Sequence, residues 1–308
     1  MKVLVTGGAG FIGSNLVEGL CRGNEVTVLD DLSTANKQSR SFVEGLGIEF
    51  VRGSVTDADL LKRTLGGIDC VFHQAAIPSV PRSIKDPLAV NRANVGGTLT
   101  LLDSAVKTGV KKIVYASSSS VYGDAPALPK REDMQPDPKS PYAVSKLIGE
   151  HYMRVFNEIY GLKTISLRYF NVYGPRQDPG SEYAAVIPRF IDAALEGKPL
   201  TIYGDGKQTR DFTYVADVVE ANKKAMANNK TGVYNIAGGK QISINELAER
   251  IIEITGSKSK TTHQRPRPGD VKRSLADVSK AKKELGFEPK VHLREGLGRS
   301  IEWIKEAR

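Results

Sequence analysis

Residues 6–13 read TGGAGFIG, set between KVLVT, a run rich in β-branched residues, and an amphipathic stretch at 11–21. A glycine corner that leads from a buried strand into a helix restricts the fold more than any other feature of this chain. Behind it come EVTVLD (25–30) and IEFVRG (48–53), a helical pattern at 57–64, and IDCVFHQAA (68–76) as strand and loop. Helical periodicity over 86–108, the strand KKIVYAS (111–117), a helix over 141–160 and the strand KTISLRY (163–169) continue the alternation. Short apolar strands alternating with helices predict an α/β fold, a doubly wound parallel sheet with helices on both faces. After Asn171 the rhythm loosens into Gly/Pro-rich loops, LTIYGDG, and helices near 184–196, 215–227, 243–255, 277–285 and 293–306.

The glycines satisfy two spacings, Gly8-x-Gly10-x-x-Gly13 and Gly7-x-x-Gly10-x-x-Gly13. Either permits a tight turn, close approach of backbone to a pyrophosphate at a helix N-terminus, and close helix–sheet packing. Asp30 ends the second strand, where a carboxylate accepts hydrogen bonds from both ribose hydroxyls and repels a 2′-phosphate. The pattern therefore predicts a Rossmann-type domain that binds NAD in preference to NADP; the alternative is a degenerate turn that binds nothing. The expected division is residues 1–170 for this domain and 171–308 for a smaller α/β substrate-binding lobe, some segments of which return to the first.

Composition narrows the class. No stretch approaches the roughly 18 apolar residues of a membrane span, and the N-terminus lacks the pattern of a signal peptide, so a cytoplasmic chain is expected. Cys21 and Cys70 cannot build a disulfide framework, and His73, His151, His263 and His292 stand singly, so no metal site is expected. The net charge of +9 fits an anionic ligand or simply a lysine-rich surface. The basic residues are spread out rather than clustered among aromatics, which argues against nucleic acid.

PYAVSK (141–146) places Tyr142 and Lys146 on one face at the start of a helix. A tyrosine with a pKa near 10 is a poor base at neutral pH, and an adjacent ammonium lowers that value. Upstream lies YASSSSVYG (115–123). Gly7, Gly10 and Gly13, Asp30, a serine before VYG, and Tyr142 with Lys146 resemble the extended short-chain dehydrogenase/reductase family. The likeness runs through essentially the whole chain. RYFNVYGPRQDP (168–179), GDGKQTRDFTYVADV (204–218) and RPGDVKRSLAD (267–277) are similar to the nucleotide-sugar epimerase branch, nearest the UDP-N-acetylglucosamine 4-epimerases.

The resemblance implies a catalytic trio of Ser118, Tyr142 and Lys146, with Ser118 bonding the reacting sugar hydroxyl and Ser117 facing the cofactor or capping the strand. Ser119 and Ser120 stand where related 4,6-dehydratases carry an Asp-Glu pair, which removes the acid that water elimination requires. It further implies an NAD site of Phe11 and Ile12 in the glycine turn, Ser54 and Val55 after the third strand, Gln74, Ala75 and Ala76 after the fourth, and Asn94, Ser117, Tyr142, Lys146 and Tyr169. Members often carry Gly-Asp where this chain has Gly53-Ser54, so an altered adenine contact is expected.

For the UDP-sugar, the resemblance implies Asn171, Arg210 and Arg267 at the diphosphate and Asp270 at the uridine ribose. Thr201 and Tyr203 line the uracil site, and Val186 and Ile187 wall it, although Tyr203 and Ile187 suit a core equally. Ser79, Arg82, Ser83 and Ser119 are placed near the sugar, and the small Ser274 leaves room for a 2-acetamido group. The expected activity is NAD-dependent 4-epimerisation of UDP-N-acetylglucosamine/UDP-N-acetylgalactosamine, with UDP-glucose/UDP-galactose also accepted. Its rivals are 4-epimerisation or decarboxylation of UDP-glucuronate, and a non-catalytic NAD-sensing binding protein. Family members usually form homodimers through two helices per subunit, here about 94–108 and 141–160.

Overall fold

A computed structural model describes residues 1–180, 185–266 and 271–308. In chain order the first half runs β1 (Lys2–Thr6), α1 (Phe11–Leu20), β2 (Glu25–Asp30), α2 (Lys37–Glu44), β3 (Glu49–Arg52), α3 (Ala58–Thr64) and β4 (Cys70–His73). Then come α4 (Val80–Lys85), α5 (Pro87–Asn91), a π-helical turn at Arg92–Gly96, α6 (Gly97–Thr108), β5 (Lys112–Ser118), a 3₁₀ turn at Ser119–Tyr122, α7 (Pro141–Tyr160) and β6 (Lys163–Tyr169). The second half contains β7 (Val172–Tyr173), α8 (Val186–Leu195), β8 (Leu200–Tyr203), β9 (Thr209–Asp211), β10 (Thr213–Tyr214), α9 (Val215–Ala227) and β11 (Gly232–Ile236). It ends with β12 (Gln241–Ser243), α10 (Ile244–Thr255), β13 (Thr261–Gln264), α11 (Ser279–Leu285) and α12 (Leu293–Glu306).

Seven parallel strands form the central sheet in the order β11-β6-β5-β4-β1-β2-β3. Side-chain alternation sorts each strand between the two helical layers. Val3, Val5, Val114 and Ala116 pack with Leu16, Val17, Val218 and Ala221 of α1 and α9, whereas Leu4, Ile113 and Tyr115 pack with Leu61, Leu101 and Met153 of α3, α6 and α7. The strand order reverses between β1 and β4, and a crevice opens there at the carboxyl ends of the strands.

A third core, around Phe190, Ile191, Ile202, Leu247 and Leu297, belongs to the lobe built from α8, α10, α12 and the short strands. The later half of the chain feeds both units: β11 lies at the sheet edge beside β6, and α9 packs on α1. Two loops join the lobe to the sheet domain. Arg176 donates to Ser14 Oγ (3.1 Å) and Asn15 Oδ1 (2.7 Å), and its guanidinium stacks on Phe42 at 4.1 Å. Asn235 on β11 donates to the carbonyls of Lys130 (2.9 Å) and Asp277 (3.1 Å). No helix among the described residues is long and apolar enough to cross a membrane.

Helix α7 is tied to the sheet by a buried ion pair. Arg168 on β6 donates through Nε and Nη2 to the two carboxylate oxygens of Glu150, at 2.8 and 2.7 Å, and both side chains are 4% exposed. Ser117 Oγ donates to the same carboxylate, and the guanidinium lies 4.6 Å from the ring centre of Tyr122. Glu150→Ala would strand a buried guanidinium, and a loss of about 3–5 kcal/mol is expected in denaturant unfolding.

Candidate active site

The corner between β1 and α1 is made by backbone contact. Gly7 has φ +70°, and a Cβ on Gly13 would lie 2.0 Å from Gly7 O, so neither position admits another residue without rearrangement. A Cβ on Gly8 would collide with Val28 at 2.8 Å, whereas one on Gly10 would meet only Gly7 O at 3.3 Å. Gly7, Gly10 and Gly13 line the crevice, and Gly8 packs down on β2. Helix α1 starts without a side-chain cap and with no acidic residue in its first turn, which leaves its first N–H groups to an anion.

Asp30 is 8% exposed and accepts from Ala9 N (2.9 Å) and Leu32 N (2.8 Å). Burial raises its pKa against those two bonds. Phe11, Ile12, Ser54, Val55, Gln74, Ala75 and Ala76 line the same crevice of about 950 Å³. The Ser54 hydroxyl is paired with Thr56 Oγ1 at 2.9 Å. Gln74 Nε2 donates to Tyr169 Oη (3.1 Å), and the buried Asn222 also meets that phenol, at 2.9 Å. This backbone-lined cradle with a carboxylate at the end of β2 fits the diphosphate and ribose of a dinucleotide. Asn94 does not line it. Its amide holds Ile77 through N–H···Oδ1 (2.8 Å) and donates to Ser145 Oγ (3.0 Å), behind the crevice wall.

The four serines separate by strand period and by cap. Ser117 sends its hydroxyl to Glu150. Ser118 ends β5 and caps the 3₁₀ turn, accepting from Ser120 N (3.2 Å) and Ser120 Oγ (2.9 Å). Ser119 and Ser120 open the turn and line the crevice. Opposite them α7 begins at Pro141, with Ser140 capping Ala143 N at 3.2 Å.

Tyr142 lies in the first turn of α7, where burial raises its pKa and a hydrogen bond with Ser118 lowers it. Lys146 is 3% exposed, donates to Ala116 O at 2.7 Å, and sits 6.0 Å from the Tyr142 ring centre. Burial pulls its pKa down to about 7. A phenol, a hydroxyl and an ammonium thus meet at the head of the crevice, a set suited to moving one proton on and off a ligand hydroxyl.

The far wall comes from the lobe. Asn171, with φ +35°, donates to Asp211 O at 2.9 Å. Arg210 donates to Thr209 O at 2.8 Å, Ser274 is 8% exposed, and all three residues line the crevice together with Arg82. Arg273, Gln177 and Asp178 also line it, and no sequence signal singled them out.

Other expected ligand contacts lie elsewhere. Ser79 caps α4, accepting from Arg82 N at 3.1 Å, and Ser83 is fully buried with its hydroxyl on Val80 O at 2.7 Å. The stretch expected to be a substrate loop is thus a short helix that presents Arg82. Ile187 is a core residue of the lobe at 2% exposure, with Val186 packed against it. Thr201 and Tyr203 are half-buried on β8, beside the Arg189 guanidinium, which donates to Thr201 O (3.3 Å) and lies 5.4 Å from the Tyr203 ring centre. Neither lines the crevice. Arg267 and Asp270 lie outside the described residues.

A model of the NAD dependent epimerase/dehydratase family matches residues 3–237. The chain belongs to that family. NAD is its cofactor, and the cradle around Gly7, Gly10, Gly13 and Asp30 fits it. A putative UDP-glucose 4-epimerase of Methanocaldococcus jannaschii is 42% identical, the match covering 98% of each chain. The structure of UDP-N-acetylglucosamine 4-epimerase from Methanobrevibacter ruminantium M1, in complex with UDP-N-acetylmuramic acid, superposes with a TM-score of 0.96 at 41% identity, covering 100% of this chain and 99% of the other. UDP-glucuronic acid 4-epimerase from Bacillus cereus, solved with UDP-glucuronic acid and NAD, gives 0.93 at 37% identity over the whole of both chains.

In this epimerase/dehydratase-family fold, Asp211 joins three strips of the far wall. Its backbone carbonyl holds Asn171, its carboxylate accepts from Ala276 N at 3.1 Å, and Arg210 precedes it on β9. Burial pushes its pKa up to about 7 from 3.8. The folded protein therefore binds a proton that the unfolded chain releases, a contribution present below pH 4 and lost as pH rises through 7. Urea unfolding at several pH values is expected to show stability falling across that window, and Asp211→Asn to remove this part of the slope.

Proposed function

We propose that this protein is a UDP-sugar 4-epimerase acting on neutral hexoses, with the N-acetylated pair UDP-N-acetylglucosamine/UDP-N-acetylgalactosamine and the UDP-glucose/UDP-galactose pair as substrates. The observation that carries the reading is Tyr142 with the Ser118 hydroxyl beside it and the Lys146 ammonium 6.0 Å from its ring centre, at the head of a dinucleotide cradle. Tyr142 takes the proton of the C4 hydroxyl, Ser118 orients that hydroxyl, and the Lys146 charge stabilises the phenolate. NAD held by the Gly7, Gly10 and Gly13 turn and by Asp30 would supply the hydride acceptor for C4 and the donor that restores it. Arg210 and Asn171 hold the diphosphate by charge and hydrogen bonds, joined by Arg267 of the RPGDVKRSLAD stretch. The serines and Ser274 grip the sugar loosely, so the flat 4-keto sugar turns over before Tyr142 returns the proton to the oxygen.

Serines rather than acids at 119 and 120 speak against dehydration. The names of the M. jannaschii and M. ruminantium relatives support 4-epimerisation. A second reading, an acidic UDP-sugar, draws on Arg82, which lines the crevice and has no ion-pair partner among the described residues, and on the B. cereus relative. Asp178 in the same wall opposes a carboxylate on the sugar.

Incubation of the purified protein with UDP-N-acetylglucosamine, UDP-glucose and UDP-glucuronate separately, with and without added NAD, decides among these. The matching galacto product from the first two is expected, and turnover of the glucuronate alone would reverse the assignment. Tyr142→Phe is expected to lower kcat by about 10²–10⁴-fold while sparing UDP-sugar binding. An NAD-sensing protein without catalysis would bind ligand and form no product in either version.

The protein further acts as a homodimer on this reading. Ile84 (62% exposed), Leu88 (78%), Leu99 (37%) and Val144 (40%) stand bare on the adjoining helices α4, α5, α6 and α7. Light scattering is expected to give twice the 33.5 kDa chain mass, and Leu88→Glu to shift it toward one.

A further inference from the structure

Lys146 sits in an awkward electrostatic position. It is nearly fully buried, and the only shift on its pKa is the downward one from burial, with no carboxylate to offset it. Glu150, one turn along α7, is committed to Arg168 on β6. His73 on β4 is neutral: burial, then the Lys146 charge, push its pKa down to about 3, and its two ring nitrogens are taken by Thr6 and Thr98. Arg82 of α4, on the same crevice, carries the same charge. Two aromatic faces remain, Tyr142 at 6.0 Å and, nearer, Tyr115 on β5 at 5.0 Å from its ring centre.

Tyr115 is 1% exposed, its hydroxyl makes no close hydrogen bond among the described residues although Thr98 lies near it, and burial holds its pKa well above 10. The phenol is thus neutral and its polar atom has at most a loose contact, with Thr98, so the position makes use of the ring. The chain also makes room for it. A Cβ on Gly149 would lie 2.2 Å from the Tyr115 oxygen and 2.5 Å from Cζ, and glycine inside a 20-residue helix is otherwise unfavourable.

We propose that Tyr115 is a positioning residue whose ring face, admitted by Gly149, holds Lys146 as an ammonium beside Tyr142 by a desolvated cation–π contact. The proposal rests on the reading of Tyr142 and Lys146 as the proton-transfer pair. A weaker ring face releases the Lys146 proton at lower pH, the Tyr142 phenolate loses its neighbouring charge, and the alkaline limb of the rate profile moves down in pH.

The test places phenylalanine, then 4-fluoro-, 3,5-difluoro- and 3,4,5-trifluorophenylalanine, at position 115 of the full-length NAD-bound protein. The ring keeps nearly the same shape while its face loses negative potential. Two quantities are read: the alkaline limb of kcat on whichever UDP-sugar the wild type converts, and the Lys146 pKa from NMR of ε-13C-lysine, its signal identified by its loss in Lys146→Met. Tyr115→Phe is expected to match wild type. Fluorination is expected to lower both values stepwise by about one unit in all, a tenfold change in the protonation equilibrium, with KM unchanged. A flat series in an active enzyme overturns the proposal, as does Tyr115→Phe behaving like the trifluoro protein, which would move the role to the hydroxyl. Failure of the wild type on every UDP-sugar would instead remove the reading beneath it, and the NMR series would still decide whether the ring holds Lys146.

Discussion

The Glu150–Arg168 pair is the interaction on which the site geometry depends. Taking both charges out of water is costly, and only a bidentate arrangement with every carboxylate oxygen engaged offsets it. Ser117 completes that set, so the pair fixes α7 against β5 and β6 at once. One turn earlier on the same helix face, Lys146 reaches Ala116 O. The helix is therefore held to consecutive residues of β5, next to the residue whose hydroxyl meets Tyr142. The network continues through Tyr122 to Asn235 Oδ1 (2.7 Å) and from there to the carbonyls of Lys130 and Asp277. Helix α7 and the segment bearing Ser274 thus hang from one buried set of contacts.

Burial acts oppositely on Tyr142 and Lys146. It raises the Tyr142 pKa and lowers that of Lys146, favouring the neutral form of each. Such a pair works only when neighbours restore the charge separation. Within the chain, Ser118 does this for the phenol and the aromatic faces do it for the ammonium. NAD held in the crevice would add the positive charge of its nicotinamide to that balance.

The far wall of the crevice is assembled differently, from strips far apart in the chain. Asn171 follows β6, Arg210 lies on β9, and Ser274 is in the segment that runs beside β9 through Ser274 N to Thr209 O at 3.1 Å. Asp211 ties them together although it does not line the crevice. Asn171 occupies a left-handed backbone conformation that asparagine tolerates better than most residues. Strain at a cleft-facing residue is consistent with a site whose grip on ligand is set by tertiary contacts.

The local chemistry was legible in the sequence because it depends on near neighbours. Uniformly apolar strands and a glycine corner dictate a parallel sheet and an anion cradle, and Tyr142 and Lys146 share a face because helical geometry puts them there. Ser118 could be separated from Ser117 only through resemblance, and the structure supplies the cause in strand alternation and the 3₁₀ cap. Tertiary packing decided the rest. Asn94, Ser83 and Ile187 carry residue types that suit a ligand, yet each side chain is consumed by a buried backbone group or a core. Glu150 and Arg168, eighteen positions apart, and Tyr115 with Gly149, thirty-four apart, meet only when α7 lies across the sheet. A sequence specifies which groups are available and their local periodicity. Which of them are desolvated, and against what, follows from the packing of distant segments, and desolvation sets the charge state on which the chemistry runs.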